Sequence, residues 1–479
     1  MRQKIRRHLG FLFEEAKPQG LRVAVAAGRK VGFSVPVEFT PHRYAIFLLH
    51  IAAEIEHALM VQYLYAAFSL GGAKVPRDRW IEVSQWREII LGIAKEEMGH
   101  LMTVQNVLRC LGGPLNLDRE DFPWDSEFYP FPFKLEPLTR QSLAKYVFAE
   151  SPADWSGAEA DEVRALAQQG VGDGTPVNHV GKLYKTIEDL LSDQTPLIKD
   201  ADFRGSTFPY QANWDEWGRG YQGGARGNST KGAMPGTPDV LLIPVVARTD
   251  SVAALSKVAD QGEANPKADD GAPSHFTRFL RIFRKFPKDG WSPSRPVPVD
   301  PIVLSEEQDG EARDDWGGTP ITHPQSKLWA HLFNIRYEIL LKYLLHTFEY
   351  PNNTSDVSQT TPRGLLLHST FGEMYNIRAL SEILVQMPLA PGDAPPRAGP
   401  PFQIPYTLKL PVDAVDRWRA HLDLLQTSIA LIERLLDGKD QRHAAYLRTL
   451  READCQLIAV IERILGRPAA AGPAVKQYS

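Results

Sequence analysis

The sequence has little cysteine, no long uninterrupted apolar run and no strong charge of either sign. Two cysteines stand among 479 residues. Cys110 and Cys455 each lie inside an apolar helical pattern (Val107-Leu108-Arg109-Cys110-Leu111 and Ala453-Asp454-Cys455-Gln456-Leu457). Two such residues suit small buried hydrophobes and exclude a disulfide framework. No stretch approaches the roughly 18 uninterrupted apolar residues that a spanning helix needs, so no membrane segment is expected. The net charge of −4 gives no broad electrostatic reason to expect nucleic acid or an anionic membrane as partner. The basic opening Met1-Arg2-Gln3-Lys4-Ile5-Arg6-Arg7 is not followed by the apolar region and small-residue cleavage site of a secretory signal. The expected location is cytoplasmic. No short-period repeat is present, and strand patterns are few.

What is present reads as a soluble, mostly α protein. Hydrophobic content of 43% and charged content of 23% are ordinary for globular chains, and the length points to two or three domains. Thr40-Pro41 opens a helical pattern over 41–70 that Gly71-Gly72 stops. A second helix is expected from about Trp80 to Leu111, stopped by Gly112-Gly113-Pro114. Residues 114–140 and 200–245 are rich in Pro, Gly and aromatics, and a helix is expected between them over Val180–Leu191. Such long irregular stretches are often lids or binding loops. Helical pattern returns at Ser251–Gly262, capped by Asp250-Ser251, and at His275–Phe286, capped by Ser274. The domain reading is a helical unit over 1–290 with inserted lid segments in 114–245, a linker over 291–325, and a C-terminal helical bundle over 326–479. In that last unit helices are expected at 326–349, 363–387, 412–436 and 441–465. Glu373-Met374-Tyr375-Asn376 lacks a histidine that would make a second site, so that half reads as structural.

The chemistry-bearing pattern is Glu97-Met98-Gly99-His100. Positions i and i+3 lie roughly 60° apart on a helix, so a carboxylate and an imidazole there can reach one ion. Glu97 stacks with Ile93, Leu101, Val104 and Leu108 and so points into a core, whereas Glu96 is expected to face water or another helix. Alone, Glu-x-x-His is as well explained by a buried hydrogen bond. The first helix adds Glu56, stacked with Leu49, Ala52, Leu59, Met60 and Tyr63. Glu54 and His57 form a competing Glu-x-x-His, with His50 one turn before, and spacing does not choose between them. His50 and His57 are more economically read as polar residues at a helix edge. Glu263 near one helix end and His275 at the next helix start extend the set. The di-metal bundle pattern takes one Glu from each of two helices and Glu-x-x-His from each of the others; here the last helix offers only His275. Mixed carboxylate and imidazole donors suit iron or manganese, with zinc less favoured.

At these residues the chain resembles ferritin-like proteins related to the iminophenyl-pyruvate dimer synthases of violacein- and rebeccamycin-type bisindole biosynthesis. The resemblance is carried by Ala53-Glu54-Ile55-Glu56-His57-Ala58-Leu59-Met60-Val61-Gln62-Tyr63, by Ala94-Lys95-Glu96-Glu97-Met98-Gly99-His100-Leu101, by Gly181-Lys182-Leu183-Tyr184, by Asp260-Gln261-Gly262-Glu263 and by Ser274-His275-Phe276. It covers roughly residues 40–290. It implies a ferritin-like four-helix bundle with a long irregular crossover. By matching it implies Glu56, Glu97, His100, Glu263 and His275 as metal ligands. His57, Thr277 and Lys182 depart from the usual pattern, which leaves the substrate open. Glu188 reads as a solvated helix charge.

The function these features point to is a non-haem di-metal oxidoreductase, di-iron first and manganese second. It would use dioxygen or peroxide on a small aromatic or amino-acid-derived molecule, with Tyr63 and Tyr184 near the centre. A second reading is an imine or keto-acid dimer-forming synthase fed by a partner oxidase. A third is a metal-storage, peroxide-scavenging or structural bundle, with the C-terminal helices forming a homo-oligomer interface. An oxidase predicts a cavity leading to the centre; a storage or scaffold role predicts that the long 114–245 crossover packs solidly over it.

Overall fold

The computed structural model describes residues 35–119, 130–171, 179–192, 197–217, 240–263, 273–305, 317–352, 361–392, 396–404, 408–438 and 440–466. The chain divides into two compact units. One comprises Met1–Asp300 with Pro351–Val357, the other Pro301–Tyr350 with Ser358–Ser479.

The first unit is built on two long helices, α1 (Pro41–Ser69) and α2 (Trp80–Cys110). Thr40 caps α1 by accepting from Arg43 N at 3.3 Å, and Pro41 supplies the fixed φ of the first turn. Gly71 and Gly72 end it at φ 109° and 97°, conformations that side chains resist. α1 is apolar nearly all round because it is the central helix of the unit; Glu54, Glu56, His57 and Gln62 are buried along it. Its length and apolar content would let it cross a membrane, but 78% of its apolar window is buried inside the fold. α2 ends in a Schellman motif: Gly112 N donates to Arg109 O at 3.0 Å and Gly113 N to Leu108 O at 2.8 Å, with Gly112 at φ 73°.

Around this pair pack α3 (Arg140–Ala149), α4 (Ala158–Val171), α5 (Gly181–Ser192), α6 (Arg248–Glu263) and α7 (His275–Lys285). The sequence reading anticipated α5, α6 and α7 but neither α3 nor α4. α3 carries Tyr146, Val147 and Phe148, poor helix formers whose burial decides the matter. A Thr139/Ser142 capping box starts it, with mutual N–H to hydroxyl bonds of 3.1 and 2.8 Å. Tyr146 then packs against Tyr63 and Phe279 at centroid distances of 4.9 and 5.6 Å, locking α1, α3 and α7 together. Of the expected lid stretches, 120–129 and 218–239 lie outside the described residues. Asp250 lies inside α6 rather than before it. It does bond the backbone ahead of the helix, accepting from Val246 N at 3.1 Å.

A strap over α2 is the other feature that positions the site. Thr103 donates its hydroxyl to Leu241 O at 2.7 Å and accepts from Ile243 N at 3.2 Å. Asn106 bonds Ala212 in both directions at 2.8 Å. The strap passes so close to α2 that a Cβ built on Gly99 would stand 2.8 Å from Val240 Cγ1 and 3.0 Å from Leu241 N and O.

The second unit contains α8 (Pro324–Thr347), α9 (Pro362–Leu384), α10 (Ala414–Leu436) and α11 (Ala444–Ile464) around a core of Ile339, Tyr343, Leu366, Leu425 and Ile461. Glu373 is engaged there by a buried arginine. Arg336 donates to Glu373 Oε2 at 2.7 Å and to Asp454 Oδ1 at 2.6 Å, while Ser428 donates to Asp454 Oδ2 at 2.8 Å. A buried charge is tolerable only when matched in this way. His346 and His421 stack nearby, their Nδ1 and Nε2 2.9 Å apart.

Candidate metal centre

Five side chains from four helices converge between the helices of the first unit. Glu56 comes from the middle of α1. Glu97 and His100 come from one face of α2. Glu150 sits at the C-cap of α3, and His275 is the first residue of α7, placed there by the Ser274 cap that accepts from Thr277 N at 3.2 Å. All five are buried. Their donor atoms form two groups, Glu56/Glu97/His100 and Glu97/Glu150/His275, and within each group the atoms lie within 4.8 Å of one another.

Glu97 belongs to both groups and offers each a different oxygen. Its Oε2 stands 2.9 Å from His100 Nδ1 and its Oε1 stands 2.9 Å from His275 Nδ1. His100 Nδ1 is 3.4 Å from Glu56 Oε2, and His275 Nδ1 is 3.7 Å from Glu150 Oε2. The two imidazole rings stack at 5.4 Å. The outward nitrogens are occupied: His100 Nε2 bonds Gln261 Oε1 at 2.8 Å, and His275 Nε2 bonds Glu96 Oε2 at 2.9 Å. Each ring therefore turns Nδ1 inward. Two tyrosines complete the frame, Tyr63 donating to Glu150 Oε1 at 2.5 Å and Tyr184 donating to Glu56 Oε1.

The residues fit a pair of cations on two observations. Glu56 Oε2, Glu97 Oε1 and His275 Nδ1 are buried with no hydrogen-bond partner, although the last two face each other at 2.9 Å. Leaving such groups unsatisfied costs about 1–3 kcal/mol each, more when charged. The donors are also the oxygens and imidazole nitrogens that iron and manganese accept.

Electrostatics say the same. Burial, with the charge of Glu97 added, pushes the Glu56 carboxyl up to about 8. Burial would raise Glu97 too, but His275 and His100 beside it hold it well below the usual range. Burial opposes charge on His100, yet Glu97 and Glu56 lift it to about 10, and His275 is lifted well above its ordinary value, chiefly by Glu97. Protonated imidazoles are thus the charges that balance these carboxylates when no cation does.

A cavity of about 20 Å³ opens on the cluster. Glu56, Glu97, His100 and Glu150 form its polar side, and Tyr184, Val258, Ala259 and Gly262 of α5 and α6 face them. That is room for about one water-sized group. Gly262 lets α6 approach closely there, since a Cβ on it would stand 3.0 Å from Glu150 Oε2.

Of the residues singled out from sequence, Glu56, Glu97, His100 and His275 are brought together, with Tyr63 and Tyr184 bonded to the cluster. Glu263 ends α6, and its side chain lies outside the described residues. Glu54, His50 and His57 are not in the cluster. His50 donates from Nε2 to Pro114 O at 3.0 Å, while His57 is fully buried rather than at a helix edge, since α1 is enclosed on all sides. Glu188 is half-buried, not a freely solvated charge. Glu96 does not face water; it is buried against α7, where Arg278 also grips it. Arg278 lies one turn after His275, a spacing that could have signalled this. Glu150 was missed. Its only sequence signal is a carboxylate closing the apolar run Tyr146-Val147-Phe148-Ala149.

Comparison with known proteins agrees with the helical architecture. The chain is 28% identical over 386 residues to dichlorochromopyrrolate synthase of Lentzea aerocolonigenes, covering 73% of this chain and 35% of that one. It is 33% identical over 131 residues to 2-imino-3-(indol-3-yl)propanoate dimerase of Chromobacterium violaceum, 22% of this chain and 13% of that one. The chain thus spans about a third or less of these relatives' lengths. A crystal structure of a ferritin-like protein from Caulobacter vibrioides aligns with 71% of this chain and 96% of its own, at 15% identity and a TM-score of 0.41. Residues 49–284, which include every residue of the cluster, match the family model described as Ferritin-like, and the chain accordingly carries a ferritin-like domain.

Proposed function

We propose that Glu56, Glu97, His100, Glu150 and His275 hold two redox-active metal ions, iron first and manganese second. In this reading the domain is a non-haem oxidoreductase acting on a small aromatic or amino-acid-derived molecule with dioxygen or peroxide. The observation that carries the reading is the shared carboxylate: each oxygen of Glu97 serves one of two otherwise separate donor groups. Such a metal pair supplies two-electron redox capacity close to the substrate.

The chain's own residues do the rest. Tyr184 holds its phenolic proton at Glu56 Oε1, and Tyr63 holds its proton at Glu150 Oε1, so each terminal carboxylate has a proton donor fixed beside it. Leu59, Val258 and Ala259 wall the cavity with apolar atoms and limit its water. Gln261 and Glu96 fix the tautomers of His100 and His275.

Metal analysis of protein expressed with iron and manganese supplied is the test. Two ions per chain are expected, and Glu97→Ala is expected to lose both. The reading falls if the purified protein holds no ion or if Glu97→Ala keeps its metal.

A second reading is favoured by the names of the relatives: joining two imine- or keto-acid-derived units, with a partner oxidase delivering the reactive imine. Incubation with an indole-pyruvate imine source, following dimeric product by mass spectrometry, separates the two. Dimer formation supports the synthase, and oxidised monomer supports the oxidoreductase.

A further inference from the structure

The two donor groups are alike in kind. Each has one imidazole, one terminal carboxylate and a half-share of Glu97. Any difference between the two ion positions must therefore come from what backs the imidazoles and from what the cavity reaches.

The backing differs in charge. His100 Nε2 donates to Gln261 Oε1 at 2.8 Å, a neutral amide. His275 Nε2 donates to Glu96 Oε2 at 2.9 Å, a carboxylate that is 1% exposed. Glu96 is itself clamped by Arg278, whose Nη1 donates to Oε1 at 3.1 Å and whose Nη2 donates to Oε2. A carboxylate behind an imidazole makes the ring a more electron-rich donor and pins its tautomer and tilt. An amide pins the ring with little electronic effect. His275 is thus the stronger and more rigid ligand.

Access differs as well. The cavity is lined by both residues that belong only to the first group, Glu56 and His100, but by one of the two that belong only to the second: Glu150 lines it and His275 does not. Tyr184, Val258, Ala259 and Gly262 also line it. A small ligand in the cavity therefore has both the imidazole and the terminal carboxylate of the Glu56/His100 position beside it, but only the carboxylate of the other.

Resting on the metal-centre reading, we infer that the two positions are inequivalent: Glu97/Glu150/His275 is the tight, first-filled position, and Glu56/Glu97/His100 is the exchangeable position that takes a small exogenous anion from the cavity. Glu96 and Arg278 are positioning residues for the tight site. They act through His275 and touch no substrate.

The test is a titration of metal-free protein with Co²⁺, followed by visible absorption and equilibrium dialysis, with azide as the exogenous probe. Two binding steps are expected. Glu96→Gln, which keeps the shape and removes the charge, weakens the tight step by about 10–100-fold, the usual effect of losing an outer partner of a ligand. It leaves the loose step nearly unchanged. His275→Ala retains one ion whose spectrum shifts with azide; His100→Ala retains one ion whose spectrum does not. Should Glu96→Gln fail to fold by circular dichroism, Arg278→Gln, changed at a partly exposed side chain, is expected to weaken the same step. Uptake of two ions with one affinity overturns the inference, as does equal weakening of both steps or an azide shift in His100→Ala. These results leave the metal centre standing. A wild-type protein that binds no Co²⁺ at all overturns the metal-centre reading itself.

Discussion

Replacing Gly99 by alanine tests whether the strap over α2 is as tightly seated as its geometry implies. In an unencumbered helix interior this change stabilises by about 1 kcal/mol, because alanine restricts the unfolded chain and covers the backbone. At Gly99 the new methyl would stand 2.8 Å from Val240 Cγ1 and 3.0 Å from Leu241 N and O. Ordinary carbon contacts begin near 3.5 Å, so the overlap with Val240 is about 0.7 Å. The valine can rotate away; the Leu241 backbone cannot, because Leu241 O and Ile243 N are both bonded to Thr103 one turn along the same helix. Overpacking of this kind costs about 1–3 kcal/mol, and loss of the Thr103 bond adds about 1 kcal/mol. Set against the helix gain, the net expectation is a loss of about 1–3 kcal/mol. Urea unfolding of the metal-free protein, followed by far-ultraviolet circular dichroism, measures it without interference from bound ions. A variant as stable as wild type, or more stable, refutes the claim that the strap is immovable. Because Gly99 is adjacent to His100 and two residues from Glu97, the same variant is expected to hold less metal than wild type.

Other outcomes follow from the buried polar groups. Arg336→Met leaves Glu373 and Asp454 buried without their cation and should cost about 3–5 kcal/mol, read as a lower melting temperature; an unchanged melt would show that the pair is solvated. Burial, then the charge of Arg417, lowers His346 to about 4. The folded state binds fewer protons than the unfolded one below about pH 6.5, so this contribution is intact above that pH and drains as pH falls towards 4. At about 1.4 kcal/mol per pH unit, wild type should lose about 2 kcal/mol between pH 7 and pH 5 that His346→Phe does not; parallel pH curves would contradict this. Tyr63→Phe and Tyr184→Phe each strip one hydrogen bond from a terminal carboxylate and should cost about 1–3 kcal/mol while both ions stay bound, and metal loss in either would make the tyrosine part of the binding set.

How far the sequence could be read depended on whether a residue's role is local. Helix ends were legible where capping chemistry is local, as at Thr40-Pro41, Gly112-Gly113 and Ser274. Glu97 and His100 were legible because both lie on one helical face. Glu56 needed the family resemblance to separate it from Glu54, since both lie on a helix buried on every side and apolar patterning cannot rank its faces. Glu150 was not legible, because its role depends on α3, a short helix whose last turn, Tyr146-Val147-Phe148, favours extended structure and is held helical by burial. For Glu96 the sequence left water and another helix both open, because its partner Arg278 is supplied by a different helix and facing rules within one helix carry no information about the neighbour.

The donors come from residue 56 to residue 275, on four helices: α1 and α2 carry Glu56, Glu97 and His100, and α3 and α7 add Glu150 and His275. No shorter fragment can bring the two oxygens of Glu97 their partners. On the proposed metal-centre reading, binding of both ions would therefore be a readout of α3 and α7 docking on the α1–α2 hairpin, which by itself carries only the Glu56/Glu97/His100 group. By mass action it adds RT ln(1 + [ion]/Kd) to stability per site, about 2.7 kcal/mol at a hundredfold excess over Kd. If the proposed centre binds its ions, a cell short of them would hold this chain in a looser, more easily degraded form, and metal supply would set how much of the protein persists.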